Sequence, residues 1–474
     1  MKRPLLGGVL LLACVLAIDL AGVAQNIGVQ TDPQISAMLK SISPDRIQTT
    51  AVTMQNFFTR HSCSDTISSG QGVTPARDYI FKRYRSLHGI QVKLDPFSHP
   101  NCTTKPTFNV IAWISGSRFP NQLVIVGGHY DSRTVDLNDS TSFAPGGNDS
   151  GGQTSVVLEI AKALAGHTFD STVVFIDFSG EEEGLYGSEE IAGNLSHYFK
   201  NPQVIAMLNT DIPGGDIYAN HNADFQQFRL YSPGIPRERL TTDRDGTTDN
   251  TSPSRGVMRY VGTWGGAYVS GFTMKPILRE DRPGRGSDHT SFVDHGFPAV
   301  RIMETFECSP SPVDNSCGGP FPCPPPAHLP INCFSFTSDH QHDAYDLNQF
   351  ITPTYAANIA RVMASVAASL ARAPGAPLDF SATGNANDGV KVNFKPPQTG
   401  TVDHYVVAAR SANENFYRNR ITFKHADKNR LLTPQDLGLN PGDSFFISAA
   451  AVDKVGHESL FAYPEVRCAS TSCK

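Results

Sequence analysis

Four short apolar runs, each followed within three residues by a glycine or an acid, constrain this chain most: Leu123 to Val126, Thr172 to Phe178, Val204 to Leu208 and Ala299 to Met303. Short, near-continuous apolar runs with such boundaries read as strands buried on both faces, as in parallel sheets. Between the first two lies Thr154 to Ala165, where Val157, Ile160, Ala161 and Leu164 recur at helical spacing. The unit is strand, helix, strand, so the expected class is α/β, with a mostly parallel (mixed) sheet flanked by helices.

Sites in open α/β sheets form at the carboxyl ends of strands, so residues far apart in sequence can converge there. "LVIVGGHYDS" puts His129 directly after a strand, "VVFIDFSGEEEGLYGS" puts Glu181 and Glu182 after the next, and "VIAMLNTD" puts Asp211 after the third. Asp149, in the Gly-rich "APGGNDSGG", precedes the helix, and taken alone it would serve equally as a turn or capping aspartate. Three adjacent acids, Glu181 to Glu183, usually mark a solvated face. Here they follow an apolar strand and precede Gly184, Leu185, Tyr186 and Gly187. A buried acidic turn calls for cations: one glutamate can bind metal while its neighbour holds a water and takes its proton. With a second histidine from later in the chain, where His289, His340 and His342 are the candidates, two histidines and three carboxylates, one of them bridging, suit a pair of zinc ions.

Composition fits a folded enzyme: the 474 residues are 39% apolar and 18% charged. A net charge of −6 supplies no basic field for nucleic acid or anionic lipid, so neither is expected as a partner. Lys2 and Arg3, the apolar run Leu5 to Ile18 and the small residues ending at Ala24 follow the order of a secretory signal over 1–24. That run is shorter than the ~20 residues of a spanning helix, so no stable membrane insertion is expected and the protein should be secreted, extracellular or periplasmic. Cys14 leaves with the signal. The other eight cysteines, Cys63, Cys102, Cys308, Cys317, Cys323, Cys333, Cys468 and Cys473, suggest up to four disulfides, with Cys308 to Cys333 forming a stapled Pro-rich loop.

Helices are expected at Leu39 to Phe58 and Arg77 to Leu87, with no chemistry visible in residues 25 to 120. Asn209 to Gly286 reads as long loops framing the site, where substrate choice would reside. A last helix, Thr354 to Leu370, leads to a linker at Pro374-Gly375. This divides the chain into an enzyme domain over 25–373, an all-β unit over 376–467 and a tail over 468–474. The β unit should fold by itself and be dispensable for the chemistry. In "VKVNF", Val390, Val392 and Phe394 point one way, and "HYVVAAR" and "SFFISAAAV" follow at sandwich-like intervals. "LNPGDSFFISAAAVDKVGHES" resembles the later strands of a fibronectin type III domain, with Phe445 at the place of that family's corner tyrosine.

The first domain resembles metallopeptidase family 28 over roughly residues 105 to 370. The resemblance rests on "GGHYDS", "PGGNDSGG", "GEEEGLYGS", "NTD", "SDHTSF" with "GFPAV", and "HQHDAYD". It implies a fold of the zinc-exopeptidase type and a secreted aminopeptidase using two zinc ions, with peptide or protein N-termini as substrate. By motif, His129 and Asp211 would hold the first zinc, Asp149 would bridge, Glu182 would hold the second, and Glu181 would be the general base. Asp131 would orient the His129 imidazole. The last ligand lies among His289, His340 and His342. The family's later motif has an aspartate four residues after the histidine, which His342 and Asp346 satisfy, leaving His340 in reserve and His289 as a residue of the cleft. "NDSGGQ" departs from the family's commoner two acids with Ser-Gly, and "NTD" from "NLD". A glutaminyl cyclase, a carboxypeptidase-type relative and a non-enzymatic adhesion protein are the competing functions. Arg279, Arg282 and Arg285 keep a carboxylate clamp open, and the β unit could bind a surface or polymer.

Overall fold

The computed structural model describes residues 29–64, 70–102, 107–215, 226–234, 251–281, 285–305, 341–342, 344–424, 427 and 430–474. The signal segment, the cysteines from Cys308 to Cys333, His340 and Arg282 lie outside the described residues.

All four apolar runs are strands of one eight-stranded sheet. The strands are β1 (Gln91–Phe97), β2 (Thr107–Ile114), β3 (Phe119–His129), β4 (Ser171–Phe178), β5 (Gln203–Thr210), β6 (Gln227–Tyr231), β7 (Thr273–Ile277) and β8 (Ala299–Met303). Their order is β1-β2-β4-β3-β5-β8-β6-β7. The central four, β4, β3, β5 and β8, run parallel, and antiparallel pairs at β2–β4 and β8–β6 begin the mixed margins.

Side-chain alternation explains why the central strands read as continuous apolar runs. Val124, Val126, Val173 and Phe175 face one core, with residues of the helices Pro33–Lys40, Pro44–Gln55, Val73–Arg85, Gly151–Leu164 and Pro353–Arg372. Leu123, Ile125, Val174 and Ile176 face a second core, with Ile191 and Ala192 of the helix Tyr186–Asn194 and Phe292 of His289–Asp294. Both faces are covered, so both must be apolar.

Two expectations change. The stretch from Leu39 to Phe58 is two helices, because Pro44 opens a new helix and Ser43 caps it, its side chain accepting from the Arg46 N–H. The stretch from Asn209 to Gly286 is not all loop: it contributes β6, β7 and the helix Pro253–Tyr260. Their apolar signal is weak because β6, though buried, carries Arg229 in its middle, and the edge strand β7 is only partly buried and contains Lys275 and Pro276.

Beyond the last helix the chain is all β. β9 (Leu378–Asn385) pairs with β10 (Gly389–Lys395), and β11 (His404–Ser411), β12 (Arg420–Phe423), β13 (Phe445–Val452) and β14 (Val466–Cys468) form a sheet in the order β12-β11-β13-β14. Val390, Val392 and Phe394 enter one core with Phe445, as their alternation implied. The β unit meets the first domain through several polar contacts. Arg259 donates to the Asn415 carbonyl at 2.8 Å, Tyr260 to the Glu458 carbonyl at 2.9 Å, and His457 pairs with Asp32 at 2.9 Å.

One buried acid on the sheet has a measurable consequence. Asp177 of β4 faces the helical side, where Tyr84 donates to it at 2.6 Å, and burial pushes its carboxyl up to about 8 from an ordinary 3.8. The folded chain therefore holds a proton that the unfolded chain releases. The stability this contributes is full below about pH 4 and is lost as pH rises toward about 8. Asp177→Asn, which cannot ionise, is expected to flatten this part of the curve of Tm against pH. Parallel curves for the variant and parent would show that Asp177 is ionised in the fold.

Candidate active site

The carboxyl edge of the central strands gathers the expected residues. His129 ends β3, Asp211 follows β5, and Glu181 to Glu183 lie in the turn between β4 and the helix Tyr186–Asn194. Asp149 stands just before the helix Gly151–Leu164, and His342 comes from the chain approaching the last helix. Two clusters form, His129 with Asp149 and Asp211, and Asp149 with Glu182 and His342, each with donor atoms within 4.8 Å of one another. Asp149 belongs to both. Its Oδ1 lies 3.1 Å from His129 Nε2, and its Oδ2 lies 3.4 Å from His342 Nε2. His129 Nε2 is 3.6 Å from Asp211 Oδ1, and His342 Nε2 is 3.0 Å from Glu182 Oε2. Glu181 borders the first cluster, with Oε2 3.9 Å from His129 Nε2.

Neighbouring groups hold these donors in place. Asp131 faces His129 Nδ1 at 3.4 Å and accepts from the Glu182 backbone N–H at 3.1 Å, so it orients one residue of each cluster. Asp346 accepts from the backbone N–H groups of Asn148 at 2.7 Å and Asp149 at 2.9 Å. The turn before Asp149 leaves no room for side chains: at Gly146, with φ +49°, a Cβ would lie 2.5 Å from Arg60 Nη2, and at Gly147 2.5 Å from Asn348 N.

Arg60, fully buried, donates to the carbonyls of Met54, Tyr130, Pro145 and Gly146, strapping the N-terminal helices to the loops after His129 and before Asp149. On the other flank, Arg301 of β8 pairs with Asp211 Oδ2 at 2.8 Å and Asp281 at 2.6 Å, leaving Asp211 Oδ1 to face the cluster. Arg133 pairs with Glu182 at 2.9 Å.

The electrostatics follow from acids packed out of water. Burial pulls His129 down, but Glu181, Asp131, Asp149 and Asp211 outweigh it and push the imidazole well up. His342 behaves alike: burial opposes, Glu182 and Asp149 prevail, and it reaches about 9. Burial pushes Glu181 well above the usual carboxylate range, with Asp211, Glu182 and Asp288 adding like charge. Both imidazoles are thus drawn toward positive charge, the response of a donor set suited to cations. Glu182 Oε1, buried with no hydrogen-bond partner, is a further oxygen available to one. Two imidazoles and three carboxylates on a concave, partly apolar floor fit a pair of divalent cations of the zinc class. The cleft over them, about 350 Å³, is lined by both clusters with Glu181, Leu137, Leu185 and Arg285.

The profile of Peptidase family M28 matches residues 109–367, more than half of the chain. The chain belongs to this family. A relative, a probable zinc metalloprotease of Leptosphaeria maculans, is 31% identical over 368 residues, 73% of this chain and 78% of the relative. A probable zinc metalloprotease of Pyrenophora tritici-repentis is 28% identical over 82% of this chain and 88% of its own. Among solved structures the fold is similar to that of the Legionella pneumophila LapA aminopeptidase, with TM-score 0.51 and 19% identity over 73% of this chain and 76% of that one.

The family match begins at residue 109, so it leaves out residues that support the site from behind. Glu183 turns away from both clusters: it accepts from Ser62 N–H at 3.2 Å and Ser62 Oγ–H at 2.9 Å and lies 3.3 Å from His61 and 3.7 Å from His99. A disulfide, Cys63–Cys102, ties together the two loops that carry these groups. Arg60, Ser62, His61 and His99 escaped the sequence reading because no strand end or motif marks them. His289 is buried, bonded through Nε2 to the Glu280 carbonyl at 2.9 Å, and lies outside both clusters.

Replacing Arg301 by Met would leave Asp211 and Asp281 without this buried partner. Breaking a buried pair in this way typically costs about 3 to 5 kcal/mol. Denaturant unfolding of the metal-free protein should show a loss on that scale. A loss of about 1 kcal/mol or less, as for a surface pair, would contradict the buried role of Arg301.

Proposed function

We propose that the chain is a secreted, zinc-dependent aminopeptidase that removes N-terminal residues from peptides, using two zinc ions and Glu181 as general base. The observation that carries this reading is Asp149 facing His129 and His342 from its two oxygens, with Glu181 alongside. His129, Asp149 and Asp211 would hold one ion, and Asp149, Glu182 and His342 the other. The name zinc metalloprotease of the fungal relatives supports the choice of metal. When bound, such ions polarise a scissile carbonyl and lower the pKa of an attacking water.

The protein's own groups do the rest. Glu181, buried beside the clusters, takes the proton of the attacking water and hands it to the departing amine. Asp131 keeps the His129 ring turned so that Nε2 faces the cluster. Arg301 holds Asp211, and Arg133 holds Glu182. Leu137 and Leu185 on the cleft wall offer apolar surface to the substrate's terminal side chain.

Exopeptidase polarity follows from charge. The cleft is lined by Asp149, Glu181, Glu182 and Asp211, whereas Arg133 and Arg301 are already paired with acids of the clusters. A free α-amine suits such a wall. Arg285 also lines the cleft and favours a second reading, a carboxypeptidase-type clamp on a terminal carboxylate. Only Glu183 and Gly184 separate the glutamate pair from "LYGS", which argues against the insertion typical of cyclases. The disulfides Cys63–Cys102 and Cys468–Cys473 support export.

Glu181→Gln is expected to retain zinc while turnover falls ~10² to 10⁴-fold. Near-normal turnover at full metal content would remove Glu181 from the mechanism. Polarity is read from one peptide in free, N-acetylated and C-amidated forms. Cleavage should survive amidation and fail on acetylation, and the reverse pattern would establish the carboxypeptidase reading. Release of ammonia and a pyroglutamyl product from an N-terminal glutamine peptide, without hydrolysis, would establish the cyclase.

A further inference from the structure

Gln153 has no part in the chemistry above, yet it reaches into the middle of the first cluster. It lies in the first turn of the helix Gly151–Leu164 and is fully buried. Its Nε2 is 2.7 Å from His129 Nε2, 3.1 Å from Asp211 Oδ1 and 3.4 Å from Asp149 Oδ1. These are the atoms through which the three residues face one another. The sequence marks the same spot, since Gln153 ends the "NDSGGQ" that departs from the family pattern.

The amide is mismatched in this seat at both ends. A carboxamide nitrogen has two hydrogens and only donates. It faces two carboxylate oxygens and, closest of all, His129 Nε2. That ring nitrogen can accept only while the ring is neutral with its proton on the Nδ1 that faces Asp131, and otherwise it opposes the amide donor to donor. At the other end Oε1 is buried with no hydrogen-bond partner. Oxygen and nitrogen of a carboxamide are nearly the same size, and a half turn of the amide exchanges them. After that turn the oxygen converges with His129 Nε2, Asp149 Oδ1 and Asp211 Oδ1, and a cation among the four satisfies all of them.

We infer that Gln153 Oε1 is a fourth protein ligand for the cation held by His129, Asp149 and Asp211, an assignment that rests on the two-cation reading above. Arg301 occupies Asp211 Oδ2, so Asp211 offers a single oxygen and leaves room for another donor. Four protein ligands would be the number that structural zinc sites use. The cluster of Asp149, Glu182 and His342 supplies three and keeps a position open, the pattern of catalytic ones. The two positions would then be unequal in the number of protein donors, four against three.

Stepwise zinc affinity, measured by competition with a chromogenic chelator on wild type, Gln153→Ala, Gln153→Met and Gln153→Glu, tests this without reference to activity. Wild type should bind two ions. The Ala and Met variants should keep one at wild-type affinity and hold the other at least ~10-fold more weakly, the scale on which even outer-shell partners tune metal affinity. Glu, an anionic oxygen donor of the same length, should hold both at least as tightly as wild type. Thermal unfolding of the metal-free forms separates loss of a ligand from loss of fold, and Met keeps the volume if Ala does not fold. A Met variant that binds both ions like wild type would reduce Gln153 to packing. Tighter binding by Ala or Met would show that the amide opposes the cation, and a Glu variant as weak as Ala would also overturn the assignment. If wild type binds one ion, the two-cation reading itself falls, an outcome visible before any variant is made.

Discussion

Asp149 presents Oδ1 to His129 at 3.1 Å and Oδ2 to His342 at 3.4 Å, so two sets of side chains share one carboxylate. Asp211 and Glu182 complete the sets, and Asp131, Glu181 and Asp288 crowd around them, nearly all out of water. Like charges about 4 Å apart repel by about 4 kcal/mol per pair at an effective dielectric of about 20. Arg301 and Arg133 offset part of that, and Arg60 adds a buried positive charge behind the turn. The remainder falls on protons or cations, which is why both imidazoles are pushed upward in basicity despite burial. An arrangement so costly in repulsion is stable only where its backbone is fixed.

That fixing is done by elements with no chemistry of their own. The parallel centre of the sheet brings the ends of β3, β4 and β5 side by side, with His129 opposite Phe178 and Gly127 opposite Asn209 in register. Asp346, just ahead of the last helix, grips the backbone of Asn148 and Asp149, so the same segment that brings His342 to the site also sets the shared carboxylate. Arg60 does the equivalent from the N-terminal side, spending its donors on backbone carbonyls at four places. Side-chain donors on backbone acceptors define loop positions irrespective of loop sequence.

How much of this could be read from the sequence depended on burial. Strands β3, β4, β5 and β8 are covered on both faces, so their residues are apolar without alternation and stand out. The residues at their carboxyl ends were legible for the same reason, since a histidine or acid directly after such a run has few places to go. β6 and β7, at the margin and carrying Arg229, Lys275 and Pro276, gave no comparable signal. Arg60 was illegible because its partners are carbonyls, which every residue has, and only the tertiary fold selects among them. His342 is singled out among three histidines only by the resemblance, whose motif sets a histidine four residues ahead of an aspartate, and in the structure that aspartate, Asp346, locks the turn of Asp149. Gln153 was visible only as a departure from pattern, and its contacts give that departure physical content.

The β unit stands closer to this machinery than the Pro-Gly linker suggests. Arg259 and Tyr260, at the end of the helix Pro253–Tyr260, bond to Asn415 and Glu458 of the β unit, and Arg259 also pairs with Glu465 at 3.4 Å. Phe416 approaches the following turn so closely that a Cβ on Gly262 would lie 2.5 Å from its ring. The same helix accepts the Ala299 N–H on Ser254 Oγ at 3.1 Å, at the first residue of β8. Two residues further along β8 is Arg301, the partner of Asp211. A continuous run of polar contacts and one strand therefore leads from the β unit to a residue of the first cluster. The helix Pro253–Tyr260 is thus in contact with the β unit on one side and with the strand that carries Arg301 on the other, an adjacency and not by itself a coupling.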